Sequence, residues 1–117
     1  MRCLLVDDST RFLEAARALL ERGGVEVVGS ASTGADALSQ ARETAPDVVL
    51  VDLDLDLKNG FYVAHRLVGN VPAVILVSPH SRELIADSPA PGFLHKSTLS
   101  ARAIRDVLGD TGPTARS

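Results

Sequence analysis

A chain of 117 residues with 45% hydrophobic content can bury one core, and it leaves little room for a second domain. Aromatic residues make up 3% with no Trp, which excludes base stacking on exposed rings, and a net charge of −3 argues against direct nucleic-acid binding. No apolar run is long enough to span a bilayer, no signal-peptide core follows Met1, and the lone Cys3 has no partner for an internal disulfide. A cytoplasmic protein without membrane contact is therefore expected.

Short apolar runs alternate with segments of helical period, which is the pattern of βαβ units around a parallel sheet, and five such units are expected. The first strand covers residues 2–6, with Cys3 as a small core residue, and Ser9 is a good N-cap for a helix whose inner face is Phe12, Ala16, Leu19 and Leu20. Gly23 and Gly24 end that helix. A second strand over residues 25–30 leads to a helix over 35–44 with Ala35, Leu38 and Ala41 on one side, closed by Pro46. The third strand spans 47–52, and after an acidic loop a helix begins near Gly60 with Phe61, Ala64, Leu67 and Val68 facing inward. Asn70 and Pro72 interrupt before a fourth strand at 73–78. A short helix is expected at 81–87, closed by Ser88-Pro89-Ala90-Pro91, then a fifth strand at 92–95 and a last helix at 100–108 that buries Ala103, Ile104, Val107 and Leu108. One domain accounts for residues 1–108, and 109–117 reads as a polar tail or linker.

The chemistry gathers at strand ends. Asp7 and Asp8 follow the first strand, Asp52 closes the third, Ser78 the fourth, and Lys96 follows the fifth. In open α/β sheets that carboxyl edge is where ligands bind, at the crevice where strand order reverses. Carboxylates gathered there repel by roughly 4 kcal/mol per pair at about 4 Å and an effective dielectric of about 20, so the site calls for a cation. Carboxylate oxygens suit Mg²⁺, which takes one or two of them plus waters and a phosphate and leaves one carboxylate as nucleophile. Taken singly, each residue has a plainer reading: Asp7 and Asp8 as helix caps, Lys96 as a solvated lysine, Ser78 as a turn residue. His65, His80 and His95 lack metal-ligand spacing.

The acidic pair, the apolar strand ending in Asp52, Gly60 eight residues later, the Ser78 hydroxyl and Lys96 fall in one order, and in that order the chain resembles the receiver domain of bacterial response regulators of the chemotaxis-regulator type. The resemblance implies a single doubly wound five-stranded parallel sheet, flavodoxin-like in its order 2-1-3-4-5, with helices on both faces. It implies that Asp52 accepts a phosphoryl group from a sensor histidine kinase or phosphotransfer protein. Mg²⁺ would be held by Asp7, Asp8 and Asp52 with the backbone carbonyl of Asp54, and Ser78 and Lys96 would steady the phosphoryl oxygens. Ser78 would then shift and let Phe93 turn inward, switching an interaction surface for a downstream effector protein or a missing output domain; a homodimer is a further partner. Such a chain is a regulatory phosphoacceptor that promotes its own phosphorylation and dephosphorylation rather than an enzyme.

Several residues depart from the family pattern. Pro79 follows Ser78 where relatives offer a backbone N–H to the phosphoryl group, which implies weaker retention. Asp56 stands where proline is usual, Ser97 stands where many relatives have proline, and the stretch between Ser78 and Lys96 is about one helical turn short. Two alternatives follow. One is a degenerate receiver that acts as a phosphorylation-independent interaction module. The other is a haloacid-dehalogenase-type phosphohydrolase, whose motif Val51-Asp52-Leu53-Asp54-Leu55 resembles, with Asp52 as nucleophile and Asp54 as acid/base. That family, however, carries its metal carboxylates downstream of the motif, and here the acidic pair lies upstream.

Overall fold

The inner strands read as unbroken apolar runs because both faces of their sheet are covered. The computed structural model describes residues 1–52, 60–78 and 92–109. Within them lie strands β1 (Arg2–Val6), β2 (Glu26–Ala31), β3 (Val48–Asp52), β4 (Ala73–Ser78) and β5 (Gly92–His95) and helices α1 (Thr10–Arg22), α2 (Gly34–Thr44), α3 (Gly60–Leu67) and α4 (Ala101–Gly109), with a 3₁₀ turn at Lys96–Thr98. The strands form one parallel sheet in the order β2-β1-β3-β4-β5, as expected. The helix expected at 81–87, the acidic loop with Asp54 and Asp56, Pro79, His80 and the tail beyond Gly109 lie outside the described residues.

Side chains alternate across a strand, so each inner strand feeds two cores. Leu4, Val6, Val49, Val51, Val74 and Leu76 pack against Ala37 and Ala41 of α2 and Val63, Ala64 and Leu67 of α3. On the other face Cys3, Leu5, Val48, Leu50, Ile75 and Val77 pack against Ala16 and Leu20 of α1 and Ala101 and Ile104 of α4. Burial pushes the Cys3 thiol up to about 12, which keeps it a neutral core side chain.

Three residues expected inside are exposed: Leu19, Ala35 and Val68. Leu19 sits one position, about 100° of helix, from the buried Leu20, and Ala35 lies about 200° from the buried Ala37, so neither shares the inward stripe. Val68 follows the last helical residue, where the chain has already turned. The expected cap of α1 is present: Ser9 accepts the Phe12 N–H at 3.2 Å, and α2 has a cap of its own in Thr33, which accepts the Asp36 N–H at 3.1 Å. Gly24, at φ +90°, carries the chain out of α1 in a conformation that costs glycine least.

The edge strand β2 runs one residue later than expected, and its pairing with β1 slips between Cys3 and Leu4, leaving Val28 as an extra residue and bringing Ala31 opposite Val6. Two of its carbonyls are taken by side chains from opposite layers: Arg17 of α1 donates to Val27 O at 3.4 Å, and Gln40 of α2 donates to Ser30 O at 2.7 Å. Gly29 leaves room for the second clasp, since a Cβ there would collide with Gln40 Oε1. Capped carbonyls and a bulge blunt an edge against strand addition by another chain. The double variant Arg17→Ala/Gln40→Ala is expected to show a larger weight-average mass than wild type in sedimentation velocity at equal concentration; identical profiles would mean that the clasps do not guard the edge.

Candidate functional site

Strand register brings the acids together. Cys3 through Val6 of β1 pair with Val48 through Val51 of β3, and extending that ladder by one residue sets Asp7 beside Asp52 on neighbouring strands. Both are buried, at 1% and 4% exposure, while Asp8 stays exposed at the rim. Carboxylate oxygens of all three lie within 4.8 Å of one another. Ser78, fully buried, follows the Asp52 register partner Val77 and pairs with His95 of β5, which places it at the same carboxyl edge.

Lys96 opens the 3₁₀ turn after β5, two strands from β3, and only a long side chain can cross that gap of about 10 Å. Its Nζ lies 2.8 Å from Asp7 Oδ2 and 3.6 Å from Asp52 Oδ1, so it leans toward the first strand rather than the third. The turn that aims it is capped by His95, whose Nδ1 accepts the Ser97 N–H at 3.2 Å. Ser97 thus supplies a donor that proline would lack. Burial alone would lower the Lys96 pKa, but the hydrogen bond to Asp7 and the charges of Asp52 and Asp7 outweigh it, and the net shift is upward from 10.5. Lys96 therefore stays an ammonium.

Asp7 uses its two oxygens differently. Oδ1 accepts the Ser9 N–H at 2.8 Å and so fixes the N-cap of α1. Oδ2 is buried and, apart from the close Lys96 Nζ, has no aligned hydrogen-bond donor among the described residues. A hard-oxygen donor set with such an under-satisfied atom fits a divalent cation. Asp7, Asp8 and Asp52 are the residues that would hold such an ion. A cavity of about 290 Å³ between α2 and α3, lined in part by Arg42, Arg66 and Asn70, lies where both helices end, away from these acids. This hollow is therefore a poorer guide to the site than the charge cluster.

Of the residues expected to form a site, Asp7, Asp8, Asp52 and Lys96 are thus in mutual reach and Ser78 shares their edge, while Asp54 lies outside the described residues. One neighbour was not foreseen. Phe12, expected only on the inner face of α1, carries the Lys96 ammonium over its ring at 4.4 Å from the centroid. Its place in the first turn of a helix that starts at the sheet's carboxyl edge was the available signal.

The model of the response regulator receiver domain matches residues 3–107. The chain belongs to this family. The receiver is 33% identical over 84 residues to a protein-glutamate methylesterase/protein-glutamine glutaminase of Hahella chejuensis, covering 72% of this chain and 24% of that protein. It is 31% identical to the virulence regulator BvgA of Bordetella pertussis, covering 88% of this chain and 55% of the relative. The chain thus spans about a quarter to about half of the length of such relatives. Among solved structures, the receiver domain of NarL from Mycobacterium tuberculosis superposes with a TM-score of 0.80 at 32% identity, over 92% of this chain and 96% of that one. The receiver domain of CheB from Thermotoga maritima gives 0.69 at 25% identity, over 94% and 91%.

Among the described residues, three carboxylates face one ammonium at the receiver's edge, an arrangement under net repulsion. In the absence of divalent cations Asp52→Asn is expected to raise stability by about 1 to 2 kcal/mol, and added Mg²⁺ should raise the melting temperature of wild type more than that of the variant. Thermal melts in chelator and in Mg²⁺ measure both; equal responses of the two proteins would dissociate Asp52 from the cation.

Proposed function

We propose that this receiver is a phosphoacceptor in two-component signalling, with Asp52 as the residue that carries the phosphoryl group. The observation that supports this most is the Lys96 ammonium seated between the buried carboxylates of Asp7 and Asp52, because structural packing alone gives no reason to collect those charges at one strand edge. Phosphoryl transfer asks a protein mainly for alignment and for neutralisation of oxygens. An Asp52 oxygen attacks the phosphorus of a phosphohistidine, the P–N bond breaks, and its electron pair returns to the imidazole of the kinase or phosphotransfer protein. Lys96 neutralises one phosphoryl oxygen and the Ser78 hydroxyl hydrogen-bonds another. Asp7, Asp8 and Asp52, with the Asp54 carbonyl, would hold Mg²⁺, which when bound neutralises further phosphoryl charge. The product shifts the population of an interaction surface read by an effector protein or an output domain.

Incubation with acetyl phosphate or phosphoramidate and Mg²⁺ is expected to add one phosphoryl mass to wild type and none to Asp52→Ala, by intact-mass measurement. A wild type that stays unmodified would favour a phosphorylation-independent module, and turnover of small phosphate esters would favour a phosphohydrolase. Pro79 follows Ser78 in the chain and has no N–H to offer a phosphoryl group, so Pro79→Ala is expected to lengthen the phosphoryl lifetime and tighten beryllofluoride binding by about 1 to 2 kcal/mol, the scale of a charge-assisted hydrogen bond. Unchanged decay and affinity would remove that role from Pro79.

A further inference from the structure

We infer that Phe12 is a positioning residue: its ring face holds the Lys96 ammonium over the Asp7–Asp52 pair, and it does more than cover the core. The inference rests on the phosphoacceptor reading only for its effect on phosphorylation; the placement of Lys96 stands apart from it. Lys96 is a point charge on a flexible stem of four carbons, and a side chain that crosses two strands has many ways to miss its target. Three contacts fix it: Asp7 at 2.8 Å, Asp52 at 3.6 Å and the Phe12 ring at 4.4 Å. The first two pull the ammonium toward the carboxylates. The third bounds its travel on the side of α1 and keeps water from that side.

The contacts close on themselves. Asp7 Oδ1 accepts the Ser9 N–H at 2.8 Å, Ser9 Oγ accepts the Phe12 N–H at 3.2 Å, the Phe12 ring carries Lys96, and Lys96 returns to Asp7 through Oδ2. One carboxylate thereby sets both the cation and the ring that confines it. Phe12 is anchored because it also packs, half-buried, against the core on the α1 and α4 side of the sheet. Any apolar residue of similar size could meet that packing need. Only an aromatic ring offers a negative face to a cation.

The chain contains two lysines, Lys58 and Lys96, so the Lys96 ε-methylene signals are readily assigned by NMR. In wild type they are expected to be shifted upfield by the Phe12 ring current, in Phe12→Leu the shift should vanish, and in Phe12→Tyr it should persist. With phosphoramidate and Mg²⁺, Phe12→Leu should take up phosphoryl groups about two- to fivefold more slowly, the fold-change that corresponds to a partly exposed cation–π contact, and Phe12→Tyr should stay close to wild type. Melting temperatures of the variants separate this from loss of packing. Wild-type Lys96 signals without an upfield shift, or a Phe12→Leu variant with unaltered uptake, would overturn the inference, as would equal slowing in the Leu and Tyr variants. Failure of wild type itself to take a phosphoryl group would count against the proposed function instead; Phe12 would then be judged on the Lys96 resonances, whose ring shift in wild type and loss in Phe12→Leu support it and whose absence overturns it.

Discussion

Two carboxylates on adjacent strands, held level by a ladder that cannot slip, are the constraint from which the rest of the site follows. Slipping β3 by one residue would exchange the side chains that fill its two buried cores, so close packing on both faces holds the register against the repulsion of the acids. Asp7 and Asp52 must therefore live with each other. Lys96 is drawn across two strands, the Ser9 cap is tied to Asp7, and Phe12 is brought under the ammonium, each as a local answer to charge that the sheet will not let go.

Most of the fold was legible because its signals were local. β4 and β5 begin and end where Pro72, Ser78, Gly92 and Lys96 break the pattern, and the structure agrees to the residue. β2 runs one residue later and carries a bulge, which arises from pairing with β1 and leaves no mark on β2 alone. Val68 was misplaced because α3 ends one residue before it, and Leu19 and Ala35 for another reason. A short amphipathic helix has apolar residues beside its stripe as well as in it, and only the partner surface decides which of them is covered.

The site was legible to a similar degree. In a parallel sheet every strand ends on the same edge, so Asp7, Asp52, Ser78 and Lys96 could be placed together without knowing any distance. The lean of Lys96 toward Asp7 was not readable, since it depends on how a 3₁₀ turn capped by His95 aims one side chain. Nor was the part played by Phe12, because apolar spacing is satisfied equally by a core residue and by one that also meets a cation.

Charge at the ends of α1, α2 and α3 eases the acidic edge without neutralising it. Asp7 sits at the N-terminal end of α1 and Asp36 in the first turn of α2, while Arg22, Arg42 and Arg66 occupy the last turns of α1, α2 and α3. Acids thus meet the positive ends of helix dipoles and bases the negative ends. A helix terminus stabilises a nearby charge by about 0.3 to 1 kcal/mol, whereas two carboxylates about 4 Å apart repel by roughly 4 kcal/mol in a protein-like dielectric. Helix ends therefore cannot hold three carboxylates together, and among the described residues one ammonium is shared between two of them. The remaining imbalance leaves the strand tips a cluster of carboxylates that could hold a cation, whereas the hollow at the opposite ends of α2 and α3 is lined in part by arginines and carries the opposite charge.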